Sequence, residues 1–449
     1  MKTIAQIAAE LQAYDPQALT ASDVNLFLSK LVAPVTGTEQ VGLFDALGRV
    51  LAQDVISPVN VPPHDNSAMD GFAFDGAQLQ SDAALELRVV GTAMAGRAWQ
   101  GPVGANECVK IMTGAVMPTG LDTVVPQEFV KGNGPEIIVP AGLLQPGDNR
   151  RKLGEDLMAG LPALLKGELL TPAACGLLAS LGLKSVQVVR KLRVAYFSTG
   201  DEILTLGEAP REGAVFDSNR YTVFGLLTRL GCEVIDMGVV RDEPALLEAA
   251  FLQAASQADA IITSGGVSVG EADYTKAMMK KLGDVAFWRI AMRPGRPMAV
   301  GSIQSARLSI NSGSSPDGMG VSSYQNDISS SHNAVLFGLP GNPVAVMVTF
   351  LAFVRPALLQ MMGRRSAPLP LLKARSTEVL RKKAGRTEYQ RAIVSTLAGG
   401  TLSVQTTGSQ GSGVLSSMVH ANGLIVLHHD QGNVAVGDEV DVMMFEGAI

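Results

Sequence analysis

Between residues 192 and 362 short apolar runs that end in glycine-containing loops alternate with helix-length segments. Strands buried on both faces read as continuous apolar stretches, and strands joined through helices run parallel, so this rhythm predicts a parallel, doubly wound sheet. Strands are expected over 192–197, 233–240, 260–263 and 334–337. Helices are expected over 220–230, 244–258 and 276–282, and Pro343 opens a strongly apolar one reaching about residue 362. In the first of these helices Tyr221, Phe224, Leu227 and Leu230 recur on one face, and Gly231 is placed to end it.

The loops that follow parallel strands gather along one edge, where ligands bind. Three such loops carry chemistry. The first, Ser198, Thr199, Gly200, Asp201 and Glu202, sets hydroxyls and carboxylates after a strand, although a turn with Asp201 as cap explains the same residues. The second, Ser264, Gly265, Gly266, Val267, Ser268, Val269 and Gly270, followed by Glu271 and Asp273, allows backbone amides to approach an oxyanion. A tight strand-to-helix turn capped by Asp273 is the plainer account. It matches neither GxGxxG nor GxxxxGK[ST], which removes support for dinucleotide binding and P-loop hydrolysis. The third, Gly338 to Pro343, contains Pro340 and Gly341 with Asn342 at the N-cap and Pro343 at the first helical position, which suits an anion or simply starts a helix. Carboxylates beside phosphate-binding turns call for a hard cation, and Mg²⁺ held by Glu202 and Asp273 is the expectation. Arg293 and Arg296 on a proline-stiffened loop supply paired donors for an oxyanion, or are solvated loop arginines.

The remaining chain sets the context. At 449 residues several domains are expected. A hydrophobic content of 47% against 17% charged residues excludes global disorder. A net charge of −6 argues against a general nucleic-acid or anionic-membrane binder. Three scattered cysteines without a CxxC exclude a disulfide framework or cysteine zinc site and fit a reducing cytoplasm. The amino-terminal residues lack a secretory pattern, and the apolar run over 344–354 falls short of the roughly 20 residues that cross a bilayer. A helix is expected over 20–35, with Ser22 as N-cap, Val24, Phe27, Leu28 and Leu31 on one face, and Pro34 as the stop. Residues 57–148 read as a small β-rich lobe, and 157–183 as helices that pack back on the first one. Residues 309–333, in which 17 of 25 are Ser, Gly, Asn or Asp, read as a mobile surface insertion. Residues 371–449 read as a small β-barrel or sandwich, with Gly399-Gly400 as a hairpin turn. Asp65 and Asp70 in the loop PHDNSAMDGFA can handle protons or a cation, or form Asx turns. The five histidines show no HExxH, and His428-His429 reads as a strand position.

Taken in order, DNSAMDGFA from Asp65, IMTGA from Ile111, GED from Gly154, FSTGDE from Phe197, FDSNR from Phe216, TSGGVSVGEADY from Thr263 and GLPGNPV from Gly338 resemble the molybdopterin molybdotransferase family, MoeA in bacteria and the carboxy-terminal domain of gephyrin in animals. The resemblance implies four regions: 1–56 completed by 149–188, the lobe 57–148, a molybdopterin-binding α/β domain over 189–365, and a barrel over 366–449. It implies insertion of molybdate into adenylylated molybdopterin, with Mg²⁺-dependent release of AMP. It also implies an elongated cytoplasmic homodimer, whose cleft joins the α/β domain of one subunit to the small lobe of the other. The upstream adenylyltransferase and molybdoenzyme chaperones become candidate partners. Carried over by motif, Asp65, Thr113, Asp156, Glu202, Asp242 and Asp273 are the expected functional polar groups. Ser218, Asn219 and Ser412 join Ser198, Thr199, Gly200, Ser264, Gly265, Gly266, Arg293, Arg296, Pro340, Gly341 and Asn342 as substrate contacts. The family's loop lysines are replaced here by Arg293 and Arg296. A molybdopterin adenylyltransferase and a gephyrin-type scaffold are the alternatives.

Overall fold

The computed structural model describes residues 2–11, 14–132, 134–267, 274–306, 331–365 and 368–447. It resolves into two compact units, one of residues 1–39, 48–50 and 188–449, the other of residues 40–47 and 51–187. The four-region division is finer than these units and remains a proposal.

In the smaller unit, Thr123–Pro126, Gly71–Phe74, Glu107–Ile111, Leu85–Ala93 and Glu136–Val139 form a five-stranded sheet in that order. Consecutive strand residues point to opposite faces. Ala73, Val109 and Val124 therefore enter one core, while Phe74, Cys108 and Val125 enter another. The stretch over 157–183 departs from the expected helices. Only Pro172–Ser180 is helical, with Thr171 as N-cap and Pro172 in its first turn. Before it, Gly160 and Gly167 turn the chain at positive φ, and Pro162–Leu164 pairs with Val55–Ile56 as a strand. This helix packs on Leu43–Ala46, whereas the amino-terminal helix packs elsewhere.

The larger unit is built on a six-stranded sheet: Glu233–Val240, Arg193–Thr199, Ala260–Ser264, Ser331–Leu339, Pro297–Ala306 and Gly283–Arg289. The first four strands run parallel, and Pro297–Ala306 pairs antiparallel with both of its neighbours, so the sheet is mixed rather than wholly parallel. The strands Gly283–Arg289 and Pro297–Ala306 escaped the sequence reading, and each carries a glycine, Gly283 and Gly301. Both glycines sit where a Cβ would strike the neighbouring strand's backbone. Helix Ser218–Leu230 ends at Gly231 with φ 87° as expected, but its buried face is Asn219, Val223, Leu226 and Leu227. Tyr221 and Phe224 are exposed. The helix Pro244–Gln257 buries Leu247, Ala250, Phe251, Ala254 and Ala255 at helical spacing against the sheet.

The amino-terminal helix Ala21–Leu31 buries the four predicted apolar residues, but its cap is Thr20, in a reciprocal box with Asp23, rather than Ser22. It packs on the long apolar helix Pro343–Met361. That helix contains a π turn over Phe350–Val354, just before Pro356, whose ring supplies no backbone N–H. By length and composition it could cross a membrane, yet 83% of its most apolar window is buried in the protein.

In the carboxy-terminal region Thr387–Thr396, Leu402–Thr406, Leu372–Ser376, Glu439–Met444 and Gly423–Leu427 pair in sequence. Gly423–Leu427 pairs back to Thr387–Thr396, closing a five-stranded barrel. Gly399-Gly400 lies in the expected hairpin. His428 lies just beyond a strand and bonds Asp441 at 2.6 Å. The predicted insertion falls outside the described residues except for Ser331 to Asn333, which are strand. It leaves the sheet at Ala306 and returns at Ser331, the end opposite the Leu339 terminus. At about 3.3 Å per residue its points of attachment are thus some 25 Å of strand away from the third loop.

Candidate functional site

The carboxyl ends of the parallel strands bring the three predicted loops together. A Cβ on Gly265, where φ is 92°, would lie 2.5 Å from the Thr199 carbonyl, and one on Gly266, where φ is 64°, would lie 2.5 Å from Thr275. Only glycine fits both the dihedral angle and the space. The Gly265 amide donates to the Leu339 carbonyl at 3.2 Å, tying the second loop to the third. Asn219 Nδ2 donates to the Gly341 carbonyl at 2.7 Å and so binds the third loop to the start of helix Ser218–Leu230. The barrel joins through its 408–413 loop, because the Val344 amide donates to Ser412 O at 3.1 Å.

These ties enclose a cleft of about 1070 Å³. Thr199, Glu202, Ser218 and Asn219 line it together with Ser264, Gly265 and Gly266. Pro340, Gly341 and Asn342 of the third loop, Arg293 and Arg296, and Ser412 of the barrel complete the lining. Asn342 holds the N-cap position of the long helix without a side-chain cap hydrogen bond. Neither arginine forms an ion pair among the described residues. Ser198 lies beneath the surface, 1% exposed, in a ring of hydroxyls: Tyr196 Oη is 2.9 Å from Ser198 Oγ and 2.7 Å from Ser264 Oγ. Burial raises the Tyr196 phenol far above its usual range, so it acts as a neutral hydrogen-bonding group. Gly200 shapes the first turn without lining the cleft. Asp242 is likewise outside it; its amide donates to Asp201 Oδ1 at 3.3 Å, and its carboxylate accepts from Thr275 Oγ1 at 3.3 Å. Asp273, with Glu271 and Ser268 to Gly270, lies outside the described residues.

Three predicted residues belong to the smaller unit. Asp65 Oδ1 accepts the Leu153 amide at 2.8 Å, and Arg150 lies 3.5 Å from its other oxygen. Thr113 donates both its amide, at 2.7 Å, and its hydroxyl, at 2.8 Å, to Asp70 Oδ1. The amide first and the hydroxyl second hold the Asp70 carboxyl below the usual carboxylate range. Asp156 borders a separate concavity of about 660 Å³, and its amide donates to Val61 O at 3.1 Å.

The sequence reading missed two residues. Asp217 is 4% exposed and lines the cleft; one carboxylate oxygen caps the Arg220 amide at 3.1 Å, and the other has no hydrogen-bond partner. It stands inside the quoted FDSNR segment, whose next two residues were selected instead. Arg391, 1% exposed, braces the 408–413 loop by donating to Ser409 O at 3.1 Å and Gly411 O at 2.9 Å. Its position in mid-strand gave no local cue. Thr199 Oγ1 and Asn219 Oδ1 are also buried without partners beside the cleft. Buried polar groups are normally satisfied, so these atoms mark a surface built for a polar ligand. Among the described residues no group of three or more His, Cys, Asp or Glu side chains could hold a metal. Two carboxylates, Glu202 and Asp217, line the cleft. That donor set suits Mg²⁺, which takes one or two carboxylates and fills its shell with phosphate and water.

An α/β layer whose strand-end hydroxyls, glycine amides and carboxylates meet arginines in one cleft, joined to a barrel, defines a multidomain binder of anionic, nucleotide-sized ligands. The MoeA N-terminal region (domain I and II) matches residues 17–182, the probable molybdopterin binding domain matches 195–360, and the MoeA C-terminal region (domain IV) matches 373–445. The chain belongs to the MoeA family. It is 41% identical to the molybdopterin molybdenumtransferase of Haemophilus influenzae, covering 91% of this chain and 94% of that one. It is 33% identical to the enzyme of the same name from Bacillus subtilis, covering 91% and 90%. A crystal structure of a molybdopterin biosynthesis moeA protein from Pyrococcus horikoshii OT3 superposes with a TM-score of 0.75 at 26% identity, covering 95% of this chain and all of that one.

Proposed function

We propose that this protein is a molybdopterin molybdenumtransferase that inserts molybdate into adenylylated molybdopterin and releases AMP. The observation that carries this reading is the meeting of Thr199 and Glu202, Ser264 to Gly266, Pro340 to Asn342 and the two loop arginines around one cleft of about 1070 Å³. Sites for small ligands and cofactors span about 300–1,000 Å³, so this cleft has room for a pterin joined to a nucleotide. The Gly266 amide, on a turn that the Gly265–Leu339 hydrogen bond fixes in place, faces the diphosphate linkage together with the start of the helix at Pro343. Arg293 and Arg296 hold the incoming oxyanion by planar, paired donors. Thr199, Asp217 and Asn219 fix the polar edge of the substrate, and the closeness of these groups orients the reactants as the P–O bond opens and AMP departs.

Mg²⁺ would neutralise phosphate charge in this cleft, with Glu202 and Asp217 as holders and Asp273 a further one proposed from sequence. Asp65, Thr113, Asp156 and Asp242 are proposed as functional from the family motifs. A homodimer in the cytoplasm, with the upstream adenylyltransferase and molybdoenzyme chaperones as partners, completes the proposal. The test is to incubate the protein with adenylylated molybdopterin, molybdate and Mg²⁺ while following AMP and pterin-bound molybdenum. Formation of both supports the assignment, and an absence of AMP refutes it.

A further inference from the structure

A second cavity, of about 570 Å³, lies within the larger unit, between the Ala21–Leu31 helix, the carboxy-terminal half of the long apolar helix and the barrel. It shares no lining residue with the cleft described above. Its wall is mainly apolar, with Leu28, Leu351, Leu359 and Met443 among its residues, and no carboxylate lines it among the described residues. Arg355 does line it, at 8% exposure. One guanidinium nitrogen donates to Gly447 O at 2.9 Å, while Nε is buried with no hydrogen-bond partner. The next cation along this wall is Arg364. Desolvation, and secondarily the charge of Arg364, lower the Arg355 pKa, the direction expected of a buried cation that no anion among the described residues compensates. His428, the remaining titratable base on the wall, is turned to Asp441, which lies outside the cavity lining.

A buried guanidinium with an idle donor is costly unless an anion meets it. We infer that this cavity is a binding site for a small organic acid, its single carboxylate received by Arg355 and its apolar body lying along Leu28, Leu359 and Met443. A monoanion with an apolar body fits better than a multiply charged oxyanion, because a mainly apolar wall cannot satisfy several desolvated charges. The volume falls in the range of small-molecule sites.

Isothermal titration of the full-length protein with octanoate, octanamide and inorganic phosphate tests the inference. Octanoate is expected to bind saturably, and octanamide and phosphate each at least about tenfold more weakly, since a charge-assisted hydrogen bond is worth a factor of that order. Arg355→Lys, which keeps the charge but lacks the Nε donor, is expected to weaken octanoate about tenfold. Asn25→Trp, at an exposed helix position on the cavity wall, is expected to abolish binding while leaving the melting temperature and AMP release unchanged. Octanoate that fails to bind the folded wild type overturns the inference. So does phosphate binding as tightly as octanoate, or octanoate binding unchanged in Asn25→Trp.

Discussion

At the scale of single residues, the cleft holds side chains whose polar atoms are left unpaired, whereas the smaller unit holds others whose hydrogen bonds are made within the fold. Glu202 lines the cleft and forms no ion pair among the described residues, which fits its proposed role as a Mg²⁺ holder. Glu202→Gln is therefore expected to lower turnover at least about a hundredfold while leaving the melting temperature within about 2 °C, read by AMP release and thermal unfolding. Full activity in this variant would remove Glu202 from the machinery. Asp70 presents the opposite case, because one of its oxygens takes both Thr113 donors. Its folded pKa is depressed, so the Thr113 anchor is intact above the ordinary carboxylate value of about 3.9 and is lost only as pH falls through the lower folded value. The Thr113 amide resonance should accordingly titrate with a midpoint below about 3.9, and Asp70→Asn should abolish that titration. A midpoint at or above 3.9 would contradict the geometry.

At the scale of elements, the first and second loops touch through glycine. Gly265→Ala forces a Cβ within 2.5 Å of the Thr199 carbonyl at a φ of 92°. A loss of about 1–3 kcal/mol is expected from denaturant unfolding, with a larger fractional loss of substrate affinity. Elements were legible where one physical cause dominated. The central parallel strands are apolar and buried over 194–197 and 260–262, and Gly231 and Gly399-Gly400 plainly mark a helix end and a barrel hairpin. Legibility failed where tertiary context decided. The Tyr221 and Phe224 periodicity suggested a core face, yet Asn219 is turned inward to hold Gly341 O, so the helix rolls onto Val223 and Leu226. The segment before Pro172 was apolar enough for a helix, but Gly160 and Gly167 in left-handed turns set it as a strand-bearing loop. Of the site, the loops that follow strands were readable from their glycines and hydroxyls. Arg391 was not, since its role depends on a barrel loop 18 to 20 residues away in the chain.

At the scale of the whole molecule, the insertion and the cleft are attached to opposite ends of the same two strands. Replacing residues 309–330 by a short Gly-Ser linker is expected to leave both the melting temperature, within about 2 °C, and AMP release unchanged. Extending the deletion through Ser331 to Asn333 removes the pairing with Gln304 to Ala306 and is expected to lower the melting temperature measurably. Equal melting temperatures for the two deletions would contradict that pairing. The proposed homodimer requires light scattering to report twice the mass of one chain. The central claim is that one cleft couples opening of the adenylyl linkage to delivery of molybdenum. Single-turnover mixing of excess protein with adenylylated molybdopterin, molybdate and Mg²⁺, with AMP and pterin-bound molybdenum quantified in the same samples, tests it most directly. One molybdenum per AMP, both abolished together by Glu202→Gln, is the predicted result; AMP released in full from a pterin that gains no molybdenum would contradict it.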